Sequence, residues 1–214
     1  MVTIGPFSRG GTNRTGQAAC DHDFTTHKHM TPFGIFLPRF AELFLYMVCS
    51  RVTSDCVVDI LLQWWKSVRD RFPHIQYLVI NLDNGPENNS HRTQFMARMV
   101  QFAQETGLCI TLAYYPPYHS KYNPIERCWG VLEKHWNGDI LDTDETVMQF
   151  AKTMTWKGTH PTCVERISTV YETGVKLTKS AMQQIETQIE RLSALERWFV
   201  TIPATTVPAS FGRF

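Results

Sequence analysis

Tyr77 to Asp83 reads YLVINLD, a short run of strand-forming residues followed at once by a carboxylate. Tyr, Val and Ile suit a pleated, packed surface, and the run is apolar on both of its faces apart from Asn81. That is the pattern of a central strand in a largely parallel sheet covered on both sides. Asp83 then falls at the strand's carboxyl end, where open α/β sheets place ligands. Asn84-Gly85-Pro86 turns the chain away and leaves the carboxylate at the sheet edge.

On the N-terminal side, Val2 to Gly5 is a short apolar start of strand type, and Ser8 to Thr31 is polar and reads as a long loop or hairpin excursion. Leu43 to Cys49 (LFLYMVC) is a second buried strand. Thr53 and Ser54 cap a helix whose Val57, Ile60, Leu61, Trp64 and Val68 recur at helical spacing. On the C-terminal side a helix is expected from Thr93 to Thr106, with Phe95, Met99, Phe102 and Ala103 on one face and Gly107 as its stop. Ile110 to Tyr115 is another strand, closed by Pro116-Pro117. Asn123-Pro124-Ile125-Glu126 opens a further helix with an Asn cap, Pro at the first position and Glu three after the cap. Asp144 to Met154 and Lys179 to Leu195 are read as later helices, the last with Met182, Ile185, Ile189 and Leu192 on one side. The fold class is therefore α/β, a mixed sheet flanked by helices. The expected organisation is a catalytic-type domain over 1–160, a C-terminal helical extension of it over 161–202, and a disordered tail over 203–214.

Composition bounds this without deciding it. The chain has 214 residues, 43% hydrophobic, enough for one sizeable core. A net charge of +1 excludes a globally basic protein, so nucleic-acid binding would need a local basic surface. Cysteines 20, 49, 56, 109, 128 and 163 form no CxxC and read as reduced, buried thiols. The longest apolar stretch, Phe40 to Cys49, is too short to span a bilayer, and the N-terminus lacks a hydrophobic signal core, so a soluble, cytoplasmic protein is expected.

Asp83 and Glu126 converge if the strands at 77–82 and 110–115 are neighbours. Convergent carboxylates repel, and each raises the other's pKa unless a cation lies between them. Mg²⁺ takes oxygen ligands and keeps waters for substrate phosphates. Blander readings stand beside this one: an Asp after a strand forms turns, and Glu126 closes a capping box.

The wording of two blocks goes further. LVINLDNGPENNSHRTQFM and LAYYPPYHSKYNPIERCWGVLEKHW resemble the last two blocks of bacterial insertion-sequence transposases of the DDE class, and most of all the Rhodopirellula-type transposase family. IGPFSRGG, DHDF, TPFGI, SRVTSD, MTWKG and TGVKLT are similar to that family too, so the resemblance runs from about Val2 to Ile202. It implies a ribonuclease-H-like fold, Mg²⁺ or Mn²⁺, cleavage and strand transfer on transposon-end and target DNA, and a homo-oligomer in the intact parent. By position Asp83 is the second acidic residue and Glu126 the third. In such proteins the first Asp lies just before the segment resembling VTIGPFSRGG. The expectation is therefore a truncated chain that opens on a partnerless strand, lacks the first strand with its Asp, and carries out no transposition.

Asp21 or Asp23 is a substitute for that first ligand, with loop hydrogen bonding or DNA contact near the site as the alternative. Cys20, His22, His27 and His29 form a candidate Zn²⁺ cluster of irregular spacing. His119, Lys121, Tyr122 and Arg127 bracket Glu126 with basic and aromatic groups suited to phosphate contact and base stacking, or to an ordinary solvated loop. His91 lies near Asp83 or caps a helix. Trp64, Trp65, Trp129 and Trp136 are read as core. Two other functions remain open: a metal-dependent nuclease of the same fold, and a non-catalytic remnant that binds or oligomerises through its C-terminal helix.

Overall fold

The computed structural model describes residues 1–6, 29–116, 119 and 122–204. In chain order they form β1 (Val2–Pro6), β2 (Thr31–Leu37), β3 (Glu42–Val48), α1 (Ser54–Val68), a 3-10 turn (Arg69–Arg71), β4 (Tyr77–Leu82), α2 (Thr93–Thr106), β5 (Cys109–Tyr114), α3 (Pro124–His135), α4 (Asp144–Thr153), β6 (Cys163–Ile167), α5 (Lys179–Glu186), β7 (Glu190–Arg191) and β8 (Phe199–Ile202). The strands make one mixed sheet of order β6-β3-β2-β1-β4-β5-β8-β7. β1 runs antiparallel to β2 and parallel to β4, and β4 runs parallel to β5. A mixed sheet flanked by helices is consistent with a ribonuclease-H-like domain.

Because side chains alternate across a strand, β2 and β3 feed two cores at once. Phe33, Ile35, Phe44 and Tyr46 join Ile4, Ile80 and Leu82 beneath α1 and α2. Phe36, Leu43, Leu45 and Met47 join Ile125, Cys128, Trp129 and Leu132 of α3 and Ala151 of α4 on the other face. Trp64, Trp65 and Trp129 are core residues as expected, while Trp136 is half-buried against the second core. The five described cysteines are free, and burial pushes the thiols of Cys56, Cys128 and Cys163 up to about 12.

Three expectations are corrected. First, the opening strand is not partnerless: β1 is paired on both sides in the middle of the sheet. Second, β2 begins at Thr31, where a polar loop was expected to end and no strand was read. Pro32 and Gly34 punctuate TPFGIFL as a turn would, but Gly34 is in fact needed by a neighbouring helix. Third, the segment expected to finish as one long helix ends α5 at Glu186 and returns to the sheet. The free edge of β5 needs hydrogen-bond partners, and β8 supplies them antiparallel, while β6 supplies those of β3 in parallel. That pairing overrides the helical spacing of Met182, Ile185 and Ile189, all of which still pack into the first core. Within 161–202, β6 thus joins one flank of the sheet and β8 and β7 the other. The tail from 205 lies outside the described residues.

Candidate metal centre

Asp83 follows β4 directly. Leu78, Ile80 and Leu82 point into the first core, so alternation turns Asp83 to the opposite face, where α3 lies. The turn beyond it is held from several sides. Ser54 Oγ donates to the Glu87 carbonyl at 2.7 Å, and Asn89 Nδ2 donates to the Gly85 carbonyl at 3.1 Å. Asn88, only 2% exposed, donates from Nδ2 to Asp83 Oδ1 at 3.0 Å, which fixes the carboxylate's rotation. A Cβ on Gly85 would lie 3.4 Å from Glu87 Oε2 and 3.5 Å from Asp83 Oδ1, so a second carboxylate stands close to the first. Burial, and secondarily the charge of Asp83, raises the Glu87 carboxyl above its ordinary pKa.

α3 brings the other carboxylate. Asn123 caps it by accepting from the Ile125 N–H at 3.4 Å, and Pro124 supplies a preset first turn. Gly5 of β1 and Gly34 of β2 are paired side by side and leave a shallow in the sheet. Ile125 and Trp129, 0% and 2% exposed, fill it so closely that a Cβ on Gly34 would come within 2.7 Å of the Trp129 ring and 2.8 Å of Ile125 Cδ1. Burying Ile125 alone contributes roughly 1.5–3 kcal/mol to holding the helix start there. The pairing of Ile4 with Leu82 puts Gly5 next to Asp83 across the strands, and a Cβ on Gly5 would touch Ile125 Cγ2 at 3.8 Å. Gly5 thus lies between Asp83 and the residue preceding Glu126.

The electrostatics agree with this convergence. Glu126 is half-buried, and its carboxyl is pushed up to about 7 by burial first and the Asp83 charge second. No hydrogen bond to its carboxylate occurs among the described residues, so the capping-box alternative, in which Glu126 reaches back to the Asn123 N–H, is not what the side chain does. Glu126 makes no ion pair among the described residues, and hard oxygen donors of its kind suit Mg²⁺ or Mn²⁺. Among the described residues no group of three His, Cys, Asp or Glu is placed to hold an ion. Asp83 and Glu126 are the two carboxylates that this face brings together.

The other candidates fall as follows. Asp21, Asp23, Cys20, His22, His27 and Lys121 lie outside the described residues, and His29 is exposed. The rings of His119 and Tyr122 stack 5.7 Å apart at 27°, and Tyr122 is 57% exposed. Arg127 is exposed on α3. His91 is exposed in the turn after Asp83, where its N–H donates to Asn89 Oδ1 at 3.1 Å, a turn role. Sequence reasoning missed Asn88, Glu87, Gly5 and Gly34. A lone glycine inside a strand-like run was the one available signal, since it marks close backbone approach.

A mixed sheet with one carboxylate at the end of a central strand and another at the start of the helix packed across it is consistent with a DDE-type domain. The family described as Rhodopirellula transposase DDE domain matches residues 1–204, and the chain belongs to that family. Its function is of the transposase kind. No curated protein matches the chain significantly. Among the described residues no helix is long and apolar enough to cross a membrane.

Proposed function

We propose that this domain is built for divalent-metal-dependent cleavage and joining of DNA strands, with Asp83 and Glu126 as its metal ligands. The observation that carries this reading is the half-buried Glu126 carboxylate, packed at the start of α3 across from Asp83, raised by burial first and the Asp83 charge second, and satisfied by no hydrogen bond among the described residues. Bound there, Mg²⁺ or Mn²⁺ would supply charge stabilisation to the attacking and leaving oxygens of a phosphodiester displacement. Asn88 holds Asp83 in one orientation, and α3, seated on Gly5 and Gly34, holds Glu126 over it. Arg127 and the His119–Tyr122 stack, with Lys121 between them in sequence, offer phosphate contact and base stacking beside the carboxylates.

The described donor set is a pair rather than a triad. On this reading the two carboxylates alone bind metal weakly and support no transposition, and assembly with further subunits on DNA is the setting in which the chain acts. That same observation favours a second reading, a non-catalytic subunit that binds DNA or partner subunits.

The test has two measurements. Mn²⁺ binding followed by electron paramagnetic resonance should be weak and should vanish in Asp83→Ala. Incubation of a labelled duplex bearing the ends of the encoding element with Mg²⁺ or Mn²⁺ should give no joined product. Robust joining that disappears in Asp83→Ala would refute inactivity and point to Asp21 or Asp23 as the third ligand. Nicks without joined strands would indicate a nuclease, and Mn²⁺ binding unaffected by Asp83→Ala would overturn the ligand assignment.

A further inference from the structure

Gly85 stands in the turn after Asp83, and its backbone is not among the left-handed glycines, so conformation alone does not call for glycine there. What the absent side chain leaves open is a point ringed by oxygens. A Cβ at that point would lie 3.3 Å from Asn88 Oδ1, 3.4 Å from Glu87 Oε2 and 3.5 Å from Asp83 Oδ1. Glu126 supplies none of the three.

Of these oxygens, that of Asn88 has the strongest need of a partner. Asn88 is 2% exposed, and its Oδ1 is buried with no hydrogen bond. An acceptor buried in this way carries its desolvation cost unless a donor or a cation meets it. The amide cannot turn over to escape. Its Nδ2 donates to Asp83 Oδ1 at 3.0 Å, and the reversed amide would set oxygen against carboxylate. Elsewhere in the turn the carbonyls of Gly85 and Glu87 are already satisfied, by Asn89 Nδ2 and Ser54 Oγ. The two carboxylates beside Asn88 are also without a counter-charge in contact. Asp55, Asp59, Glu42 and Glu186 each hold an arginine, whereas Asp83 and Glu87 make no ion pair among the described residues. Arg92 acts on Glu87 only from beyond ion-pair distance. A buried orphan oxygen between two unpaired carboxylates sets this turn apart from those acidic residues.

We propose that Asp83, Glu87 and the Asn88 amide oxygen form a cation site of the Ca²⁺ type in the turn after β4, separate from the gap between Asp83 and Glu126. It shares Asp83 with the metal-centre reading and adds Glu87 and Asn88, which that reading does not use as ligands. Two carboxylates and one neutral oxygen match a divalent charge. Ca²⁺ accepts amide carbonyls among six to eight oxygens at about 2.3–2.6 Å in flexible geometry, whereas Mg²⁺ gives up its waters reluctantly. A buried amide oxygen therefore suits Ca²⁺ better. An ion held here ties the turn to Asp83 and reinforces the orientation that Asn88 gives that carboxylate.

The experiment is calorimetric titration of the whole chain with CaCl2, paired with thermal unfolding in EDTA and in excess CaCl2. The wild-type chain should bind one Ca²⁺ and gain about 5–10 °C in Tm at a hundredfold excess over Kd. Glu126→Gln should keep that gain, and Glu87→Gln should weaken Ca²⁺ binding at least about tenfold. Gly85→Ala removes no ligand but sets a methyl at the ringed point. It should weaken Ca²⁺ binding at least about tenfold while its Tm in EDTA stays within about 2 °C of the wild type's. A wild-type chain indifferent to Ca²⁺ would leave Asn88 Oδ1 to a water and overturn the site. Full Ca²⁺ binding retained in either Glu87→Gln or Gly85→Ala would overturn it as well. Loss of the response in Glu126→Gln would assign the ion to the metal centre, overturning a separate site and leaving that reading in place. Failure of the metal-centre reading shows separately, as Mn²⁺ binding that Glu126→Gln leaves unchanged.

Discussion

Replacing Glu126 by Gln should make the metal-free protein more stable at neutral and alkaline pH, although it removes a proposed ligand. In the folded chain this carboxyl sits at about 7, against 4.5 ordinarily, because burial and then the Asp83 charge disfavour its ionised form. The folded pKa is raised, so the stability that this one carboxyl contributes is fully present below about pH 4.5, declines as the unfolded chain ionises, and is lost once the pH passes about 7. The upper bound is about 3 kcal/mol at roughly 1.4 kcal/mol per tenfold change, and partial solvent exposure reduces it to about 1.5 kcal/mol. For a chain of this size that is a Tm difference of about 3–6 °C. The assay is thermal unfolding in EDTA from acid to about pH 8. Glu126→Gln should match the wild type in acid and exceed it at the alkaline end, with the gap opening between about pH 4.5 and 7. Saturating Mn²⁺ should reverse the order, since a ligand at a hundred times its Kd stabilises by about 2.7 kcal/mol and Gln forgoes that. A gap of the same size at every pH, or a Gln variant less stable than the wild type in EDTA at the alkaline end, would refute the reasoning.

Other substitutions probe the scaffold. Gly34→Val should cost about 1–3 kcal/mol by forcing Trp129 and Ile125 out of the shallow, seen as a fall in Tm, with weaker Mn²⁺ binding because Glu126 moves with the helix. Asn88→Ala should cost about 1–2 kcal/mol, measured by urea unfolding, and should weaken Mn²⁺ binding by freeing Asp83 to rotate. Gly5→Asp places a carboxylate between Asp83 and α3 where a Cβ has ordinary contact distance. It should lower Tm in EDTA at pH about 8 through like-charge repulsion and raise Mn²⁺ affinity by at least about tenfold, read by resonance titration.

How much of this the residues announced depends on whether each feature is local. β4 and α2 were legible because YLVINL is closed by a turn and because Phe95, Met99 and Phe102 keep helical period up to Gly107, which adopts the left-handed cap at φ 71. Asp83 and Glu126 were legible for a similar reason, a strand end and an Asn-Pro-x-Glu helix start. Gly5 was not, because its place beside Asp83 follows from strand order and register, which no local pattern encodes. β2 hid behind Pro32 and Gly34, and β8 hid behind the helical spacing of the segment before it, since both are strands by virtue of their neighbours. Asn88 looked like one more polar residue in a turn, and only its burial reveals what it holds.

The weave of the sheet has a consequence for how the chain comes into being. β1 is made before its neighbours β2 and β4 yet belongs between them in the middle of the sheet, while β6 and β8, made later than β3 and β5, close their edges. Until synthesis reaches Ile202 the nascent sheet presents two bare flanks, each a template for pairing with another chain. Its long-range pairings also predict slow maturation. Yield of this protein should therefore be limited by the interval between synthesis of β5 and arrival of the C-terminal strands, and slowing translation over that interval should increase aggregation.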